Sequence, residues 1–338
     1  MLHISTVSDQ DQSENDLASQ PHDAFFKDFF SDLKQATKFF KGHLPEHVAS
    51  LVTWESLNLV PGSFVKQSLQ QAHSDLLFSV RTSGDRELFL YLLFEHQTSV
   101  DAAMPLRLLA YQVEILLAQH RRDGLPLTPV ICYVLNQGPD RWTVSHHFED
   151  LFQLSDAETA ILHDYVPKFQ HVLLDLTQID PAKTEGDIQL RVALQLMKLA
   201  REMQMLQFFE WLSTHFEQWA EQLPDPFLRK ALLYALHSDD DLDVERIARR
   251  LNNSSKLKDT FMSTAEKLIA RGKAEGEAKG KAEGKAEGVW IGKVQLLEEM
   301  LGTAQSSVEK LASLSMEDLE SRFQELQKLY QAKFKTES

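Results

Sequence analysis

The sequence has 338 residues, of which 43% are hydrophobic and 25% are charged, a balance typical of a globular protein with its own core. Its single cysteine, Cys132, excludes a disulfide framework and a cysteine-rich zinc site, and we expect it to be a small buried core residue. The net charge of −15 disfavours a protein that binds nucleic acid through a broad basic surface. Because carboxylates that bind a metal are included in that charge, it leaves weak, salt-sensitive DNA binding open.

The first twenty residues contain four acidic side chains and no lysine or arginine. Their polar composition predicts disorder, and without a basic start and an apolar stretch they do not resemble a signal peptide. The longest apolar run in the strand-like region, Leu88 to Phe94, is far shorter than a membrane span. We therefore expect a cytoplasmic protein without a membrane partner.

Apolar residues at helical spacing predict a helix over 23–41, with Asp23 as its N-cap and Gly42 as its stop. Its aromatic stripe is more typical of a core than of a ligand site. Short apolar runs bounded by turn residues then predict strands over 63–65, 75–80, 87–97, 129–135 and 171–176. A helix predicted over 104–120 separates the third of these strands from the fourth. This order of elements predicts an α/β fold, with the strand through 88–94 central and buried on both faces.

The region from residue 187 to 262 contains no convincing strand and predicts several helices. Glycines then recur every four residues from Gly272 to Gly288, between Lys, Ala and Glu. Each glycine costs about 1 kcal/mol relative to alanine in a helix, so this repeat predicts either a marginal helix or a solvated tether. The predicted division is a tail over 1–20, an α/β domain over 21–180, a helical region over 181–270, the repeat over 271–288 and a C-terminal helical segment over 289–338.

The strongest candidates for metal-binding or catalytic residues are Asp75, Glu95 and Gln97. Folding the predicted hairpin puts Asp75 opposite about Leu92, and twist or a bulge would close the remaining gap to Glu95. Both carboxylates then lie at one end of the sheet, and Gln97, two residues from Glu95, shares its strand face. Paired carboxylates suit Mg²⁺, which prefers oxygen ligands. The alternative is that both acids simply end their strands and reach solvent.

Several sequence blocks carry a family resemblance: His22-Asp23 with Phe26-Lys27, Ser74 to Phe78, Leu92 to Thr98, Met104 to Tyr111 and Pro126 to Trp142. Together they are similar to the Rpn/YhgA-like family of recombination-promoting nucleases, also labelled transposases, within the PD-(D/E)XK nuclease superfamily. The resemblance covers residues 21–180 and extends to the Lys/Glu/Gly repeat. It implies a restriction-endonuclease-like α/β fold, in which helices flank a mixed sheet and an α-helical C-terminal region follows.

The resemblance also implies roles for individual residues. Asp75 and Glu95 would be ligands of Mg²⁺, for which Mn²⁺ can substitute, and the backbone carbonyl of His96 would be a third ligand. Gln97 stands where the superfamily usually has lysine. An amide forms hydrogen bonds but carries no charge, which leaves the strength of catalysis open. Asp23 would be a further acidic ligand, or it would only cap its helix.

Arg107 and Tyr111 are four residues apart on a predicted helix and share one face. They resemble a polar-x-x-x-Tyr element that lies near the active site of related nucleases, so they would contact DNA phosphate. Packing is the alternative for both and is favoured for Tyr111. The function implied is a Mg²⁺-dependent DNA endonuclease that hydrolyses phosphodiester bonds and promotes recombination. The alternative is a weak or inactive DNA-binding or assembly protein that retains the fold, and we expect 289–338 to join copies into a homo-oligomer.

Overall fold

The computed structural model of the chain describes residues 21–61, 75–95, 100–138, 140–183, 187–239, 242–251 and 254–334. Its centre is a five-stranded sheet whose strands occur in space in the same order as in the chain. The strands are β1 (Val52–Leu59), β2 (Asp75–Thr82), β3 (Glu87–Glu95), β4 (Val130–Asn136) and β5 (Val172–Asp175). The first three strands pair antiparallel and the last three pair parallel. The predicted α/β fold with a mixed sheet is therefore confirmed.

Helices precede the sheet, connect its parallel strands and continue beyond it. The helices up to β5 are α1 (Pro21–Ser31), α2 (Leu33–His43), α3 (Glu46–Ala49), α4 (Met104–Asp123) and α5 (Asp156–Leu162). Those after β5 are α6 (Ile188–Arg201), α7 (Met205–Trp219), α8 (Asp225–His237), α9 (Val244–Arg250), α10 (Ser255–Leu301), α11 (Val308–Ala312) and α12 (Met316–Phe334). In the described parts of the chain, none of the helices combines the length and the apolar character that crossing a membrane requires.

The single helix predicted over 23–41 is wrong in its boundaries. The chain forms two helices here, α1 and α2, because Asp32 adopts an extended conformation and caps α2 by accepting a hydrogen bond from the backbone N–H of Lys34. Asp23 lies inside the first turn of α1 and is not its N-cap. Gly42 does not stop α2, which continues to His43.

An additional strand, β1, lies at one edge of the sheet and was absent from the prediction. It pairs with β2 through a register that shifts between Thr53 and Asn58. Its apolar residues, Val52 and Trp54 and then Leu57 and Leu59, change phase where the register shifts, so the sequence carries no continuous two-residue period. The predicted strand over 63–65 lies outside the described residues.

The two faces of the sheet are covered by different helices. Against one face, Met104, Leu108 and Ile115 of α4 pack with sheet residues that include Phe89 and Cys132. The opposite face packs with the aromatic stripe of α1 and α2, which confirms that this stripe belongs to the core. The central strand β3 is therefore buried on both faces from Leu88 to Leu92, the part of the predicted run whose burial the structure describes, and Cys132 is a buried free cysteine.

The chain divides into two compact units, one up to Ala265 and one from Glu266. The glycine repeat lies in α10, so its backbone is helical, and none of the five glycines of the repeat has another group within 4 Å of where a Cβ would lie. The second unit has a small core of its own, formed by the end of α10 with α11 and α12. Its buried members are Ile291, Val294, Leu311, Leu319 and Leu326.

Candidate active site

Asp75 and Glu95 lie at the same end of the sheet, where β3, β4 and β5 finish; we call this the carboxyl end. Asp75 begins β2 and Glu95 ends β3. The two strands are antiparallel, and Asp75 pairs with Leu93. The expected partner, about Leu92, agrees with the observed one to within one residue, and the observed register puts Asp75 opposite a residue only two positions from Glu95. No bulge is needed in β2 or β3 to bring the two backbones together.

The structure does not describe residues 96–99, so the predicted roles of His96 and Gln97 lie outside the described residues. Among the residues that are described, no group of three or more His, Cys, Asp or Glu side chains is arranged to hold a metal ion. Of the pair Asp75 and Glu95, Asp75 is the member of the predicted metal site whose side chain the structure describes. Asp75 as a whole residue is half-buried.

Tyr91 is a partner of Asp75 that the sequence prediction missed. The phenol of this buried β3 residue donates a hydrogen bond to Oδ2 of Asp75. Burial raises the pKa of Tyr91 well above its usual value, and the negative charge of Asp75 raises it further. The phenol therefore stays protonated and acts as a donor at physiological pH. A tyrosine in the otherwise apolar run from Leu88 to Phe94 was the available signal, because a buried phenol usually requires a hydrogen-bond partner.

Tyr111 and Arg107 both lie on α4, but their side chains contact different groups. The ring centroids of Tyr111 and Tyr91 are 5.7 Å apart. Tyr111 therefore packs against Tyr91, the residue that donates a hydrogen bond to Asp75. Arg107 forms a half-buried ion pair with Asp101, with 3.2 Å between Nη1 and Oδ2. Its guanidinium is therefore at least partly neutralised within the chain.

Asp23 is buried in α1, on the sheet face opposite α4. It lies near Tyr234, whose pKa is raised mainly by burial and slightly by the charge of Asp23. The Tyr234 hydroxyl also contacts Nδ1 of His22 at 2.6 Å and accepts a hydrogen bond from the Gln137 amide at 3.1 Å. Asp23 thus belongs to the surroundings of a buried polar cluster, and its predicted role as a metal ligand stays a prediction.

A second polar pair at the carboxyl end, Asn136 and Asp175, was also missed. Glu95 pairs with Asn136 and Asn136 pairs with Asp175 in the backbone register, so the three residues form one row across β3, β4 and β5. The Asn136 amide donates to Asp175 Oδ1 at 2.9 Å. The other oxygen, Oδ2, accepts from the backbone N–H of Trp142 at 2.9 Å.

Asp175 also accepts hydrogen bonds from the backbone N–H and the hydroxyl of Thr177. Four donors therefore satisfy this buried carboxylate, which balances the cost of burying its charge. The arrangement suits a structural clamp that attaches the segment after β4 to the end of β5. It does not suit a metal ligand, because the acceptor sites of the carboxylate are already engaged.

Comparison with known proteins finds a matching family and several similar relatives. Residues 20–224 match the family described as "Putative transposase, YhgA-like". The chain is 36% identical over 135 residues to the recombination-promoting nuclease RpnD of Escherichia coli O157:H7, a match that covers 38% of this chain and about half, 51%, of RpnD. No solved structure matches the chain.

Two relatives from Escherichia coli strain K12 match over longer stretches. One is the recombination-promoting nuclease RpnC, 27% identical over 207 residues, which covers 60% of this chain and 65% of RpnC. The other is named the inactive recombination-promoting nuclease-like protein RpnE, 27% identical over 259 residues, which covers 76% of this chain and 84% of RpnE. Since the family match spans more than half of its residues, this chain belongs to the YhgA-like transposase family.

Proposed function

We propose that this chain is a metal-dependent DNA endonuclease that hydrolyses phosphodiester bonds and promotes recombination in the bacterial cytoplasm. The observation that carries the proposal is the placement of Asp75 and Glu95 at one end of the sheet, as the first residue of β2 and the last residue of β3. Similarity to relatives named recombination-promoting nucleases supports the reaction class.

The donor chemistry of this pair fits the proposed metal. Asp75 and Glu95 offer carboxylate oxygens, which Mg²⁺ prefers and which Mn²⁺ also accepts. A bound metal would supply an activated water and would neutralise charge on the phosphodiester. We propose that Asp75 and Glu95 hold it, with the backbone carbonyl of His96 as a third ligand and Asp23 as a candidate for a further one.

The remaining proposed site residues bind and orient. Gln97 would hydrogen-bond the attacking water or a phosphate oxygen, without the positive charge of a lysine. Arg107 would bind a DNA phosphate by exchanging Asp101 for it, since guanidinium pairs with both carboxylate and phosphate. For Tyr111, the ring contact with Tyr91 favours a packing role.

A second candidate is a DNA-binding or assembly protein that retains the fold with little or no catalysis. The favouring observation is the similarity over 76% of this chain to RpnE, a relative named inactive. The net charge of −15 points the same way, because it opposes tight DNA binding. Metal binding and cleavage distinguish the two candidates.

The test is nicking of a supercoiled plasmid at low salt with Mg²⁺ or Mn²⁺, and with EDTA as the metal-free condition. We expect cleavage by the wild type in either metal and none in EDTA. Asp75→Asn, Asp75→Ala and Glu95→Gln should each lower the rate by about a hundredfold or more, because a bound metal contributes several kcal/mol to the transition state. Circular dichroism would check that each variant is folded.

The matched control is Glu87→Gln, which changes the same side chain at the opposite end of β3, where Glu87 is exposed. It should cleave at the wild-type rate. Cleavage by Asp75→Ala as fast as by the wild type would contradict the proposed site. No cleavage by the wild type in any metal would favour the second candidate, and gel retardation would then show whether the chain binds DNA.

A further inference from the structure

We infer that Tyr91 is a positioning residue, which fixes the carboxylate of Asp75 in the orientation that metal binding requires. The inference rests on the proposed function, because it gives Asp75 the role of a metal ligand. It adds a residue from the centre of β3 that none of the sequence blocks would single out. Its basis is a direct contact: the phenol of Tyr91 donates to Oδ2 of Asp75.

The sheet register explains why these two side chains meet. Leu77 pairs with Tyr91 and Asp75 pairs with Leu93, so Asp75 and Tyr91 are diagonal neighbours on one face of an antiparallel pair. Diagonal neighbours are within reach of an aromatic side chain. A tyrosine at this position is long enough to bring its hydroxyl to the end of β2, where a phenylalanine would bring only an apolar ring.

The ring of Tyr91 is held on more than one side. Tyr111 of α4 packs against it with an angle of 55° between the ring planes. Cys132 is its register partner on β4, and the Gln112 amide from α4 donates to the Cys132 sulfur at 3.2 Å. Tyr91 itself is only 3% exposed. The phenol oxygen therefore has a fixed place, and its donor is aimed at the carboxylate.

A fixed donor orients a ligand before the metal arrives. A carboxylate has about four acceptor sites, so one hydrogen bond to Oδ2 is compatible with metal coordination. Partners of metal ligands that set orientation typically change metal affinity or activity by about ten- to a hundredfold when they are removed. The same magnitude is expected for loss of the Tyr91 hydroxyl.

The experiment is calorimetric titration of the full chain with Mn²⁺ in the absence of DNA, for the wild type and Tyr91→Phe. This substitution removes one oxygen and keeps the ring. We expect the Mn²⁺ affinity to fall by about ten- to a hundredfold. Plasmid cleavage should fall at low metal concentration and recover as metal is raised, whereas DNA binding in EDTA should not change.

The matched control is Tyr133→Phe, which removes a buried phenol from β4 on the opposite face of the sheet, 3.5 Å from the backbone carbonyl of His43. Its Mn²⁺ affinity should equal that of the wild type. Unchanged affinity in Tyr91→Phe, or an equal loss in both variants, would overturn the inference and leave the proposed function standing. A wild type that neither binds metal nor cleaves DNA would instead overturn the proposed function, and the inference with it.

A measurement on the wild type covers the case in which Tyr91→Phe does not fold. Mg²⁺ added to protein labelled at the tyrosine ring carbon next to the hydroxyl should shift the Tyr91 signal in NMR spectra, because its hydrogen-bond acceptor becomes a metal ligand. The Tyr133 signal should stay in place. If Mg²⁺ binds and the Tyr91 signal does not move, the inference is wrong.

Discussion

His171, the residue before β5, is a fully buried histidine between two other rings. It stacks on His146 with 5.3 Å between ring centroids, and it meets the edge of Trp142 at 6.0 Å. Burial, together with the nearby charges of His146 and His147, lowers the pKa of His171 from 6.5 to about 4. The native fold therefore favours its neutral form.

This predicts an acid-sensitive contribution to stability. Below pH 6.5 the unfolded chain protonates this histidine while the native chain does not, so stability is lost as the pH falls from about 6.5 to about 4 and is fully present above that window. At 1.36 kcal/mol per pKa unit, the loss between pH 7 and pH 4.5 is about 2 kcal/mol. Urea unfolding at both pH values should show that His171→Leu removes this part of the pH dependence.

The exposed His47 offers the matched substitution. His47→Leu should keep the pH dependence of the wild type, because both states of the chain leave that side chain in water. A His171→Leu variant whose unfolding free energy changes with pH as much as that of the wild type would contradict the prediction.

Some residues of the candidate site could be predicted from the sequence and others could not. The ends of β2 and β3 were predictable from turn residues and apolar runs, so Asp75 and Glu95 could be placed at one end of the sheet. The contact of Tyr91 with Asp75 and that of Asn136 with Asp175 were not identified, because they join residues 16 and 39 positions apart in the chain. Such contacts depend on register between strands, which a single strand's own sequence does not specify.

At the scale of elements, α10 runs through the glycine repeat without a break. The glycines have open space around them, so neither close packing nor an unusual backbone angle requires them. Each lowers helix stability by about 1 kcal/mol relative to alanine. The repeat is therefore helical but has a lower helix stability than the rest of α10. This agrees with the expectation of a marginal helix.

Replacing Gly276, Gly280 and Gly284 by alanine should strengthen this part of α10. The summed gain is about 3 kcal/mol, or about a hundredfold slower amide exchange if the segment opens locally. Hydrogen–deuterium exchange of peptides from the repeat measures it. Gly124→Ala is a control for which the opposite effect is expected. Gly124 follows α4 with a φ of 75°, so alanine there should lower the stability of the chain. Unchanged exchange in the triple variant would contradict the prediction.

At the scale of the whole molecule, the C-terminal unit buries only part of its apolar surface in its own core. Its buried residues form a core among α10, α11 and α12. Val289, Leu296 and Met300 remain 49%, 56% and 47% exposed. Their spacing of seven and four residues puts them on one face of α10, a pattern typical of a helix that packs against another surface.

We expect the exposed face formed by Val289, Leu296 and Met300 to join copies of the chain into a homo-oligomer. Leu296→Glu would put a charge into the interface and should give a smaller assembly in sedimentation velocity than the wild type, as should a chain ending at Ala270. Ile269→Glu is the control, because Ile269 is 62% exposed but lies about half a turn round the same helix. Equal masses for the wild type and Leu296→Glu would contradict the expectation.

The sequence by itself determined the strands β2 to β5, the helix α4 and the α/β class, because each of these rests on a local pattern of apolar residues and turns. It also put Asp75 and Glu95 at one end of the sheet, since a hairpin turn brings the start of its first strand beside the end of its second even when the exact register is not known. Only the tertiary structure decided the edge strand β1, the row from Glu95 to Asp175 and the contact between Tyr91 and Asp75. These features arise from pairing between strands, where hydrogen bonds and packing join segments whose own sequences do not encode which neighbour they meet.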